Sequence, residues 1–144
     1  MLLISHRGNI NGCSDIIENN PVHLKEVLQA GFDIEIDVWF EKGNLYLGHD
    51  YPQYLVDIEF LKNDKLWCHA KNLKALQLML DKNIHCFWHQ EDDYTLTSKG
   101  FIWTYPNKTV CKDSIIVCKN LKETQYYANL DITGICSDFI GVLS

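Results

Sequence analysis

Proline is scarce, with only three scattered residues, and no stretch rich in proline, glycine or serine interrupts the chain. No linker, internal repeat or low-complexity tract is visible, so residues 1–144 read as a single domain. Long apolar runs are missing too. None approaches the roughly 20 residues that a membrane-spanning helix needs. No basic segment followed by an apolar stretch opens the sequence, so it predicts a cytoplasmic protein without signal peptide or transmembrane segment. None of the six cysteines forms a CxxC pair, which argues against a ribbon-type zinc site. Cys68, Cys86, Cys118 and Cys136 lie inside apolar runs and read as buried free thiols. Positive charge is also in short supply. Thirteen Lys and Arg face nineteen Asp and Glu, a formal net charge of −6, and that balance argues against nucleic acid as a partner. A pocket for one small phosphate remains compatible with it, because local charge need not follow the net charge.

Hydrophobic residues make up 47% of the chain, enough to exclude disorder and to build a core. Strand-like and helix-like runs alternate. Residues 2–5 read as a first strand. Asn20-Pro21 opens a helix with Leu24, Val27 and Leu28 on one face, closed by Gly31. Residues 32–38 alternate strictly, as a strand does. A turn at 42–44 leads to a short strand at 45–47. Another strand begins at 66–69, and Asn72 then caps a helix with Leu73, Leu76 and Leu80 on its apolar face. Strands are predicted at 85–89, 101–105, 114–118 and 134–138, and a helix at 121–130. The alternation indicates an α/β fold with a parallel sheet. A TIM-type (β/α) barrel normally takes about 250 residues. A barrel of this length therefore needs short helices or fewer than eight regular βα units.

Several side chains in this pattern could carry chemistry. Glu35 and Asp37 are two apart in a strand and share one face, while Ile34, Ile36 and Val38 share the other. Two carboxylates held together and away from water need a cation or a proton between them. The alternative is a polar face on an exposed edge strand. His6-Arg7-Gly8 follows the first strand directly, where histidine could move a proton and arginine could hold phosphate. Gly48-His49-Asp50 offers a second histidine, or a turn in which Asp50 caps the backbone. Trp67, His69 and Lys71 share strand parity, with Lys71 facing either the interior or solvent. His89, Gln90, Trp103, Tyr105 and Asp138 fall at the ends of later strands and could line the same mouth, or pack as core and rim. His23 and His85 carry no such signal.

Taken in order, His6-Arg7-Gly8, Glu18-Asn19, Glu35-Ile36-Asp37-Val38 and His49-Asp50 resemble the glycerophosphodiester phosphodiesterase family, one of a larger group of barrel phosphodiesterases similar to phosphatidylinositol phospholipase C. The likeness covers roughly the first 50 residues. It continues more faintly at Cys68-His69-Ala70-Lys71 and at Gly134-Ile135-Cys136-Ser137-Asp138. The resemblance implies a compact TIM-type barrel that hydrolyses small phosphodiesters such as glycerophosphodiesters. It implies His6 and His49 as acid and base, and Arg7 and Lys71 as phosphate ligands. It also implies Glu35 and Asp37 as ligands of Mg²⁺ or Ca²⁺, which would bridge to phosphate oxygens. The chain departs from the family where a third metal carboxylate is usual and His69 stands instead. An imidazole ligand there would bring Mn²⁺ into range; otherwise Asp50 or water completes the site. The nucleophile is water or a hydroxyl of the substrate. Two further functions fit the same residues: a phospholipase D-like enzyme acting on lysophospholipids, and a catalytically silent phosphate-binding module.

Overall fold

The computed structural model describes residues 1–144. Strand β1 (Leu2–His6) leads to helix α1 (Pro21–Gln29) and strand β2 (Asp33–Glu41). Strands β3 (Asn44–Leu47) and β4 (Tyr54–Val56) and the single turn of helix α2 (Ile58–Leu61) precede β5 (Leu66–Ala70). Helix α3 (Leu73–Asp81) runs to β6 (Cys86–Phe87), then come β7 (Tyr94–Leu96), β8 (Ile102–Thr104) and β9 (Ser114–Cys118). Helix α4 (Leu121–Tyr127), β10 (Gly134–Ser137) and a 3₁₀ turn (Ile140–Leu143) complete the chain. Helices α1, α3 and α4 each start at an asparagine, Asn20, Asn72 and Asn120, whose side chain accepts from a backbone N–H of the first turn.

All ten strands belong to one sheet. Seven run parallel in the spatial order β6-β5-β2-β1-β10-β9-β8. The long strand β2 is the hub. Its residues 34–38 pair with β5 along one edge. Along the other edge its first half pairs with β1, and its second half, beyond the end of β1, pairs antiparallel with β3.

The sheet curls around its own inner face. Ile4, Trp67, Phe87, Trp103, Ile115 and Cys136, from six different strands, form one buried cluster there. Phe87 of β6 and Trp103 of β8 belong to opposite ends of the parallel run, yet their rings stack 4.6 Å apart. The outer face carries Ile34, Ile36, Val38, Cys68, Ala70, Ile116 and Ile135, which pack against Leu24 and Val27 of α1 and Ala75 and Met79 of α3. The alternation in β2 thus separates the two faces as strand geometry requires, carboxylates in and aliphatics out. The four cysteines of the apolar runs are buried and free, and Cys13 and Cys111 are exposed.

The fold is mixed α/β with a curled, partly closed sheet and few, short helices. No ladder joins β6 to β8. Hydroxyl side chains and a few backbone bonds of the intervening hairpin span the seam. Cys86 N–H donates to Ser98 Oγ at 2.9 Å, Ser98 N–H returns to the Cys86 carbonyl at 2.8 Å, and Thr95 Oγ1 donates to the Trp88 carbonyl at 2.8 Å. Neither β6 nor β8 is followed by a helix, which is how a curled parallel sheet fits into so short a chain.

Three expectations need correction. Leu73 and Leu80 do not form the inner face of α3: they are 72% and 51% exposed, and Ala75 and Met79 are buried in their place, with Leu76 beside them. The small Ala75 side chain allows the helix close to the sheet, so its buried face is rotated from the most leucine-rich one. Helix α4 ends at Tyr127 rather than at 130. Strand β6 holds only two residues, because Trp88 and His89 leave the ladder. No helix is long and apolar enough to cross a membrane.

His85, which carries no signal in sequence, has a defined structural part. It is buried at the foot of the seam, with Nε2 2.8 Å from Thr97 Oγ1 and its ring centroid 4.4 Å from that of Trp67. Burial pushes its pKa down to about 4, with a smaller contribution from the charge of Lys99. In the unfolded chain the ring titrates near about 6.5. Between those values the unfolded state binds the extra proton, so stability falls as pH drops through that window. Urea unfolding midpoints measured from pH 7 to 4 should therefore decline less steeply in His85→Gln than in the wild type. Equal slopes would show that His85 does not drive the acid loss.

Candidate active site

The parallel registers assemble a cluster at the C-terminal ends of β1, β2 and β5. His6 lies opposite Glu35, and Asp37 opposite His69. Glu35 and Asp37 are 3% and 0% exposed, so both carboxylates are withdrawn from bulk solvent. This settles the sequence alternatives for the pair: the strand is central and the pair is buried.

Asp37 is the more heavily supported of the two. Asn19 Nδ2 donates to Asp37 Oδ2 at 3.0 Å, and Asp37 N–H donates back to Asn19 Oδ1 at 3.0 Å. Around the same carboxylate stand Arg7 Nε at 3.2 Å, His69 Nδ1 at 3.2 Å, His49 Nδ1 at 3.5 Å and Lys71 Nζ at 3.8 Å. Burial alone would raise the Asp37 pKa, but the neighbouring His49 and His69 and the Arg7 charge hold it well below the usual range. Glu35 has the opposite fate. Burial and the adjacent Asp37 push its pKa up, and its Oε2 finds no hydrogen-bond partner.

His69 is held in one orientation. Its Nε2–H donates to the His89 carbonyl at 2.9 Å, which leaves Nδ1 facing Asp37 Oδ1 at 3.2 Å and Glu35 Oε1 at 3.8 Å. A neutral ring in this tautomer aims its lone pair between the two carboxylates. A metal-ligating histidine is commonly braced in just this way, by a carbonyl on its far nitrogen.

His6 is braced by Asp138. Its Nδ1–H donates to Asp138 Oδ1 at 2.9 Å, and its Nε2 lies 3.8 Å from Glu35 Oε2. Burial lowers the His6 pKa, but the Asp138 hydrogen bond and the Glu35 charge outweigh it and raise the value. Asn9 fixes the carboxylate in turn, since its Nδ2 donates to Asp138 Oδ1 at 2.8 Å and to Glu18 Oε1 at 2.9 Å. Arg7 has left-handed backbone torsions (φ 59°), as has Gly8 (φ 97°), and this turn brings the guanidinium over Asp37 and 3.5 Å from Glu18 Oε2. A Cβ on Gly8 would come within 2.9 Å of the Leu24 side chain, so the turn depends on glycine.

His6, Arg7, His49, His69 and Lys71, all expected from the sequence, thus surround the Glu35–Asp37 pair, and the cluster borders two spaces. His6, Glu35 and His69 line a cavity of about 280 Å³ with Phe87, Trp103, Tyr105 and Asp138. Arg7 and His49 line an adjoining polar cleft with Glu18, Asn19 and Asp50. His89 reaches the cavity as the sequence suggested, whereas Gln90 is exposed outside it. The sequence assigned no role to the supporting groups Asn9, Glu18, Asn19 and Asp138, although Glu18-Asn19 belonged to the motif series and Asp138 stood at a strand end.

Glu35, Asp37 and His69 offer three ligand atoms within 4.8 Å of one another, so this buried group could hold a metal ion. The donor set and the surrounding charge fit a divalent cation. Four carboxylates (Glu18, Glu35, Asp37 and Asp138) meet only two permanent cations, Arg7 and Lys71. Glu35 Oε2 has no hydrogen-bond partner, and a cation held by this group would help to balance the charge. No model of a known protein family matches this chain, and no curated protein matches it.

Protons should compete with metal at His69. Burial lowers its pKa, but the Asp37 hydrogen bond and the Glu35 charge raise it above the ordinary value. A ligand must be deprotonated to bind, so apparent Mn²⁺ affinity should fall as pH drops through the neutral range, by up to about tenfold per unit. His69→Glu should remove that near-neutral dependence and shift preference from Mn²⁺ towards Mg²⁺ and Ca²⁺. Calorimetric titrations at pH 8 and 6 check both effects. If neither changes in the variant, His69 is a bystander.

Proposed function

We propose that this protein is a metal-dependent phosphodiesterase acting on small phosphodiesters, with a chemistry like that of the glycerophosphodiester phosphodiesterases it resembles. The observation that carries the reading is the buried Glu35–Asp37–His69 group beside a carboxylate-braced histidine that opens onto a cavity. The motif order from His6 to Asp50 supports it, and the curled, partly closed sheet is compatible with a partial barrel.

On this reading Glu35, Asp37 and His69 hold Mg²⁺, Ca²⁺ or Mn²⁺, which when bound neutralises charge on the phosphate oxygens. Arg7 and Lys71 flank the same carboxylates and hold the remaining phosphate charge. His6 presents Nε2 at the cavity, where it gives a proton to the departing alkoxide; Asp138 fixes its tautomer and stabilises the charged ring. His49, on the other side of Asp37, is the counterpart that takes a proton from the nucleophile. That nucleophile is water or a neighbouring hydroxyl of the substrate. The cytoplasm is the compartment that fits free buried thiols.

Purified protein should hydrolyse bis(p-nitrophenyl) phosphate only when Mg²⁺, Ca²⁺ or Mn²⁺ is supplied. His6→Ala should lower kcat by about 10²–10⁴-fold while metal affinity persists. Glu35→Gln with Asp37→Asn should abolish metal binding itself, read by calorimetry. A protein that binds metal and phosphate but turns over no diester would be a phosphate-binding module instead. Unchanged metal affinity in the double variant would remove the metal assignment.

A further inference from the structure

We infer that the cavity beside His6 is a subsite for a flat aromatic group, so that the preferred phosphodiester carries an aryl-type arm on that side. The inference rests on the metal–phosphate reading above and names the substrate class of the same site.

The cavity is continuous with the catalytic cluster, because His6, Glu35 and His69 form part of its wall. An ester arm extending from a phosphate at that cluster therefore has two directions available. Towards Arg7 and His49 it meets a cleft that also holds Asp15, Glu18, Asp50 and Gln53, a polar and largely acidic surface. In the other direction it meets Phe87, Trp103, Tyr105, Pro106 and Val117. An apolar arm gains by entering the second space and loses by entering the first.

Size and shape narrow the class further. Small-molecule sites typically enclose about 300–1,000 Å³, and this one encloses about 280 Å³. It accommodates one compact group. Phe87, Trp103 and Tyr105 are the aromatic members of its apolar wall. Phe87 and Trp103 stack at 4.6 Å with an interplanar angle of 30°. Both are almost wholly buried, so their positions are fixed by the interior of the sheet. Tyr105 stands at the rim, held between the His89 ring at 5.7 Å and Lys119 Nζ at 5.5 Å from its centroid. Rigid aromatic surfaces at these spacings favour another ring, through offset or edge-on contact, over an aliphatic group of equal size.

Binding of phosphonates to the Mn²⁺-loaded protein, read by calorimetry, tests this without turnover. Phenylphosphonate should bind about tenfold more tightly than methylphosphonate and severalfold more tightly than cyclohexylphosphonate. Tyr105→Ala and Trp103→Leu should each remove most of the phenyl advantage and leave methylphosphonate affinity unchanged. Trp103 is a core residue, so Tyr105→Ala at the exposed rim carries the mutational test if Trp103→Leu fails to fold. Cyclohexylphosphonate binding as tightly as phenylphosphonate would overturn the aromatic preference, and so would a Tyr105→Ala protein that keeps the full phenyl advantage. Methylphosphonate binding with no gain from the ring would sink the subsite and leave the metal–phosphate reading standing. Failure of all three phosphonates to bind would remove that reading, and the subsite with it.

Discussion

Two carboxylates sealed inside a protein cannot simply coexist. The Glu35–Asp37 pair is the constraint around which the rest of this structure is organised, because burial and mutual repulsion both disfavour its charge. Each neighbour answers part of that demand. Asn19 supplies hydrogen bonds, Arg7 and Lys71 supply charge, and His69 and His49 supply ring nitrogens. The demand is met unequally. Asp37 is surrounded, while one oxygen of Glu35 has no partner. A cation held by Glu35, Asp37 and His69 would close that deficit.

Much of this was legible in the sequence, because strand periodicity is a strong signal. The alternation of residues 32–38 placed both carboxylates on one face, and the parity of Trp67, His69 and Lys71 placed the histidine beside them. The post-strand position of His6 and the strand-end position of Asp138 were equally visible. That the two would meet was not, since 132 residues separate them and no local pattern encodes a long-range hydrogen bond. The tautomer of His69 depends on a backbone carbonyl from His89, which carries no side-chain signature at all.

The helix faces show the opposite limitation. Leucine spacing suggested that Leu73 and Leu80 of α3 turn inwards, yet Ala75 and Met79 do so. Closeness of approach decides which face a short helix buries, and hydrophobic spacing does not report it. The seam between β6 and β8 was hidden for a similar reason. The spacing of Thr95 and Ser98 does not reveal that their hydroxyls replace part of a ladder.

The pairing of the first strand with the last has a consequence for how the molecule forms. β1 cannot complete its second edge until β10 exists, and β10 lies at the far end of the chain. Such a non-local contact carries a large loop-closure cost and tends to be made late. During synthesis from the N-terminus, β1, β2 and β5 can associate early and gather Glu35, Asp37 and His69. The brace on His6 must wait for Asp138. The groups that could hold a cation can therefore gather before the Asp138 brace on His6 is in place, and the curled sheet is complete only when β10 pairs with β1.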